Sequence, residues 1–94
     1  MTTPLTLTPG RSADGAARLA VTGEIDLSNS HLLATALEDL PGPLLLDLTG
    51  VTYLDSAGLS VLFGHAERLE VLATSLIAPV LSVSGLTDLL SEPR

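Results

Sequence analysis

The chain has 94 residues, 46 % of them apolar, with no cysteine and a formal charge of −7 from eleven acids against four cations, all arginine. That is enough for one domain, residues 1–94, with a modest core. It excludes disulfides, zinc–thiolate sites and thiol catalysis, and it argues against binding nucleic-acid phosphates or anionic membranes.

Leu5-Thr6-Leu7-Thr8 alternates like a short strand, and Pro9-Gly10 through Gly15 reads as a turn-rich connection. Arg18 to Ile25 alternates again, so the two runs predict an antiparallel pair. Asp26 to Ser30 is rich in helix-capping residues, and Leu32, Leu33, Ala36, Leu37 and Leu40 then recur at helical spacing. Pro41-Gly42-Pro43 ends that helix. Leu44 to Leu48 is a short continuous apolar run, expected to be a strand buried on both faces. Gly50 to Leu54 leads from it into Asp55-Ser56.

From Ala57 the spacing is helical again, through Leu59, Leu62, Phe63, Ala66 and Leu69. Leu69 to Ala73 fits either a fourth strand or a continuation of that helix. A parallel crossover of about 10–12 residues favours the short helix followed by a strand. Ala78 to Val83 predicts a helical turn stopped by Gly85, and Leu86, Leu89 and Leu90 a short terminal helix. The longest uncharged run, Val71 to Thr87, is interrupted by Pro79 and Gly85 and is no membrane span. Met1-Thr2-Thr3-Pro4 lacks the charge and apolar stretch of a signal peptide. A cytoplasmic location is expected.

The Asp55-Ser56 junction is the leading candidate site. It places a hydroxyl beside a carboxylate where a helix starts, and a helix start offers unpaired N–H groups and a positive dipole end. Ser56 there either caps the helix or carries a phosphate. Ala57 and Gly58 leave the surroundings of the hydroxyl open. Gly58 in the first turn costs ~1 kcal/mol relative to Ala, so either a partner approaches closely or the helix packs tightly on the sheet. Asp26 is the second candidate, against a plain loop or cap role. Asp47 reads as a strand-end acid bonded to nearby backbone. His31 and His65 are too few and too separate for a metal site. No nucleophile–base pair, Gly-x-Ser-x-Gly elbow or phosphate loop is present, so catalysis is not expected.

Gly23-Glu24-Ile25-Asp26, Leu44 to Asp47, Tyr53 to Leu59 and Gly85-Leu86 occur in this order over about residues 18–90. This pattern resembles the STAS family, and within it the stand-alone bacterial anti-sigma factor antagonists of the sporulation and general stress-response type. The resemblance implies an α/β fold, a mixed sheet of about four strands with helices packed mainly on one face. It implies a non-enzymatic regulator of transcription that binds an anti-sigma factor serine kinase and so releases the sigma factor. Phosphorylation of Ser56 by that kinase would abolish binding, and a serine phosphatase would reset it. Asp26, Asp55, Ser56, Ala57 and Gly58 would meet the partner. The resemblance implies no cofactor or metal of the chain's own, and it leaves a homodimer open. The alternative within the family is a non-switching STAS scaffold in a signalling complex. The stretch after Gly64 is shorter than the family pattern, and Pro79 stands where the family has a helix.

Overall fold

The computed structural model describes residues 4–11, 13–83 and 85. Alternation builds its first two strands. β1 (Thr6–Arg11) and β2 (Ala17–Ile25) pair antiparallel, with Leu7 opposite Val21 and Arg11 opposite Ala17. Leu19, Val21 and Ile25 of β2 are buried on one face, while Arg18, Thr22 and Glu24 alternate onto the other. The expected turn at Pro9-Gly10 is a correction: β1 continues through both to Arg11. β1 is an edge strand, and an edge tolerates a residue without an N–H. Gly23 has φ +101, and a Cβ there would lie 2.2 Å from the Pro4 carbonyl oxygen, so the chain needs glycine at this point.

The chain then runs through α1 (Ser30–Glu38), β3 (Leu44–Leu54), α2 (Ser56–Gly64), a 3₁₀ turn (Ala66–Arg68), β4 (Leu69–Leu72) and α3 (Ala78–Val83). The sheet order is β1-β2-β3-β4, with β2–β3 and β3–β4 parallel. This is the expected mixed four-stranded sheet with helices on one face. The expected Leu44 to Leu48 strand and the Gly50 to Leu54 lead-in form one strand of 11 residues. Two register irregularities against β2 let it continue through Gly50. The alternative of a helix running on into Leu69 to Ala73 is not realised: β4 forms there, with only 4 residues.

Leu33 and Leu37 of α1, Leu62 of α2 and Leu81 of α3 are buried against Leu19, Ile25, Leu46, Leu48 and Val71 of the sheet. Leu32 and Phe63, both expected in the buried stripes, instead point outward, 45 % and 52 % exposed. Each sits one position, about 100°, round the helix from a buried leucine. Pro79 is the second residue of α3, inside the first turn, where a missing N–H leaves no helical bond unmade. The expected helix around Leu86, Leu89 and Leu90 lies outside the described residues.

Two polar clusters away from the helix starts fix the sheet. Arg68 donates to the carbonyls of Leu40 (2.7 Å), Gly42 (2.8 Å) and Leu37, closing the end of α1 and the turn after it. Its guanidinium also meets His65 Nδ1 at 3.1 Å. Asp47 lies within β3 rather than at its end. It accepts from the Thr49 N–H (2.9 Å) and hydroxyl (2.6 Å) and from Arg18. Burial by itself would push the Asp47 carboxyl up; the Thr49 hydroxyl and amide, with Arg18, outweigh it and hold the carboxyl below its ordinary value.

Candidate functional site

Because β2 and β3 are parallel and end together, Ile25 opposite Leu54, their outgoing loops leave side by side. The Asp55 N–H donates to the Ile25 carbonyl at 3.2 Å and ties the two exits together. β4 runs the same way but ends at Leu72, opposite Asp47 and seven residues short of Leu54. The crevice outside the C-terminal ends of parallel strands is where open α/β sheets present their binding residues.

The cap of α2 is Asp55, not Ser56, which corrects the capping reading of the serine. Asp55 has an extended backbone (φ −101, ψ −173), and its carboxylate accepts from the N–H groups of Ala57 (2.9 Å) and Gly58 (3.3 Å). Ser56 is the first helical residue. It is exposed, and its hydroxyl makes no hydrogen bond to any described residue. Two N–H groups of the helix start are therefore already taken by a carboxylate, and the neighbouring hydroxyl is left facing solvent.

Gly58 is buried, and a Cβ there would fall 2.4 Å from Leu54 Cδ1 and 2.7 Å from Ile25 Cγ2. Of the two reasons for a glycine at this position, tight packing of α2 on the sheet is the one seen. That packing fixes the height of the helix start, and hence of Ser56, above the strand ends. Ala57 is half-buried beside it.

Asp26 stands in the neighbouring loop and carries a turn. Its carboxylate accepts from the Ser28 N–H (2.9 Å) and hydroxyl (2.5 Å), and its own N–H donates to Asn29 Oδ1 (2.9 Å). Asn29 reaches back to the Glu24 carbonyl at 2.8 Å. The site thus brings Asp26, Asp55 and Ser56 to one edge with defined backbone. No described arginine bonds to either aspartate: Arg11 reaches Gly15, Arg18 reaches Asp47, and Arg68 closes α1. Among the described residues no cluster of His, Asp and Glu is arranged to hold a metal.

Leu27, 80 % exposed between Asp26 and Ser28, projects from the loop beside the Ser56 junction, and Leu76, 59 % exposed, lies in the β4–α3 loop. Neither stands out in the sequence. The available signal for Leu27 is an apolar residue set inside a run of capping residues, where no helical stripe can use it.

The family model described as the Mlab, STAS domain matches residues 10–92. The fold is similar to that of an anti-sigma factor antagonist from Mycobacterium paratuberculosis, with a TM-score of 0.81, 26 % identity, and 96 % of this chain and 87 % of that one covered. It is similar to the unphosphorylated form of the anti-sigma factor antagonist SpoIIAA, with a TM-score of 0.75 and 12 % identity over 95 % of this chain and 89 % of that one. An antisigma-factor antagonist STAS domain from Rhodobacter sphaeroides gives 0.54 and 14 % over 93 % and 96 %. The last two likenesses concern the fold alone. No curated protein matches the sequence.

Proposed function

The chain belongs to the STAS domain family, and from that premise we propose that it is an anti-sigma factor antagonist switched by phosphorylation of Ser56. Unphosphorylated, it binds an anti-sigma factor serine kinase and frees the sigma factor. The observation that carries this reading is the Ser56 hydroxyl: exposed, without a hydrogen bond to any described residue, on a helix start whose capping is done by Asp55. The γ-phosphoryl group of the kinase's ATP passes to Ser56 Oγ, the hydroxyl proton leaves, and ADP is released. The kinase supplies nucleotide and catalytic groups, so this chain needs only to present the acceptor.

The modification adds a charge of about −1.5 to −2. It lands beside Asp55 on a chain that already carries −7. A complementary partner face then meets repulsion and an added desolvation cost. The domain itself loses no hydrogen bond, so binding changes while the fold stays. No helix among the described residues is long and apolar enough to cross a membrane, and this reading places the protein in the cytoplasm with its kinase and a serine phosphatase.

A non-switching STAS scaffold is the second reading. The exposed Leu27 beside Asp26 favours it, since it would serve a permanent interface equally well. Incubation with an anti-sigma factor kinase and ATP, followed by mass-spectrometric site mapping, separates the two. Label on Ser56 with loss of kinase binding supports the switch. Stable binding without label supports the scaffold, and label elsewhere refutes the site.

A further inference from the structure

The outer ridge of α2 carries the Ser56 hydroxyl at one end and an exposed aromatic ring at the other. A helix turns 100° and rises 1.5 Å per residue, so Phe63, seven residues after Ser56, stands about 10 Å further along the axis and within about 20° of the same direction. Ser60 lies about 40° to the other side of that line. All three are exposed, while Gly58 and Leu62 are buried on the opposite side of the helix. Phe63 keeps 52 % of its surface in water. Between the ring and the acceptor the ridge carries only the small side chain of Ser60. Beyond the ring, an open groove of about 570 Å³ runs over Gly64, His65 and Glu67.

The position of Ser56 says what covers this ridge. A kinase that transfers a phosphoryl group to Ser56 Oγ must close over the start of α2. A standard protein–protein contact covers roughly 800 Å² of each partner, a disc of about 16 Å radius. A disc centred on Ser56 therefore reaches past Phe63. Phenylalanine is among the residues enriched where such contacts are driest, and a ring of this size buries about 150–250 Å² when fully covered. A second copy of this chain is a poorer occupant. Each copy carries −7, and net charge of one sign opposes self-association.

We propose that Phe63 is a docking anchor for the serine kinase that phosphorylates Ser56, received by an apolar surface beside the kinase's catalytic cleft. The inference rests on the reading of Ser56 as the phosphate acceptor and adds a specificity determinant to it. Phe63 lies too far from Ser56 Oγ to touch the reacting atoms. Its contact is the same in the ground state and in the transition state, so it acts on the binding of the two proteins and not on the phosphoryl-transfer step.

The test is steady-state phosphorylation of the full chain at saturating ATP, by the anti-sigma factor kinase that labels Ser56 in site mapping. Phe63→Ser should raise KM for the protein substrate at least ten-fold and leave kcat within two-fold. Phe63→Leu should recover part of the loss. Ser60→Gln keeps the ring but puts a longer side chain on the ridge, and it should also raise KM. Each variant is checked for an unchanged far-UV circular dichroism spectrum and urea midpoint. A KM within two-fold of the parent for Phe63→Ser would overturn the proposal. So would a fall in kcat at constant KM, since the ring would then act through the placement of the helix start. Sedimentation that shows a dimer of the parent chain dispersed by Phe63→Ser would overturn it too, because a second copy would occupy the ridge. These outcomes leave Ser56 as the acceptor. Label on another residue of the parent chain, or on none, refutes the acceptor reading itself and the docking inference with it.

Discussion

Two helix ends at opposite ends of the sheet are closed by opposite means. The start of α2 is capped from within the same stretch of chain, by Asp55 reaching N–H groups two and three residues on. The end of α1 is closed by Arg68, which reaches back 26 to 31 residues for carbonyls of Leu37, Leu40 and Gly42. The first is a negative group on the positive end of a helix, the second a positive group on a negative end. A local cap frees its neighbour Ser56 from structural duty. A distant clamp binds three segments of chain together and leaves its residue no spare donor for a ligand.

That contrast sets the scale of the largest expected effect. Arg68→Ala removes charged hydrogen bonds to three carbonyls, two of them part-buried, and should cost about 3 kcal/mol of unfolding free energy. Arg68→Lys should recover little of it, because an ammonium lacks the planar fork that reaches several acceptors at once. Urea denaturation gives both values. A loss near zero for Arg68→Ala would mean that α1 ends unaided and that the comparison between local and distant capping fails.

Gly58→Val comes next. The added Cβ meets Leu54 Cδ1 and Ile25 Cγ2 at under 3.0 Å, and overpacking of this kind costs about 1–3 kcal/mol. The same change should lift the helix start and lower the rate of Ser56 labelling by the kinase. Asp55→Ala should be smaller, about 1 kcal/mol for a lost cap, with Asp55→Asn close to the parent. The Arg18–Asp47 pair adds a pH-dependent effect. The Asp47 carboxyl is held below its ordinary value in the fold. Its share of stability is present above the unfolded carboxyl value of about 3.9 and is lost as the pH falls below that toward the folded value. Asp47→Asn should flatten this acid loss in denaturation curves between neutral pH and pH 3.

The same division explains what the sequence disclosed. The Asp55-Ser56 junction, the alternation of β2 and the apolar run of β3 are local patterns, each legible within a few residues. The choice between Asp55 and Ser56 as cap was not legible, because both residue types cap well and only the extended backbone at Asp55 decides it. Arg68 was not legible either. Its carbonyl partners carry no sequence signal, and they come together only when the crossover from β3 to β4 is folded. Pro9 looked like a turn because its tolerance depends on β1 being an edge, a property of the sheet and not of the segment. Leu32 and Phe63 looked buried because nine-residue helices bury a narrower face than their apolar content offers.

The smallest expected change in stability is the most telling. Ser56→Ala removes an exposed hydroxyl with no bonded partner among the described residues, and alanine favours a helix at least as well as serine. Its unfolding free energy should stay within about 0.5 kcal/mol of the parent, well below the Asp55→Ala loss measured beside it. Labelling by the kinase should nevertheless vanish, while binding to the kinase persists. If instead Ser56→Ala proved as destabilising as Asp55→Ala, the serine would be holding the helix start itself. The separation of cap from acceptor, on which a phosphate switch without unfolding depends, would then be gone.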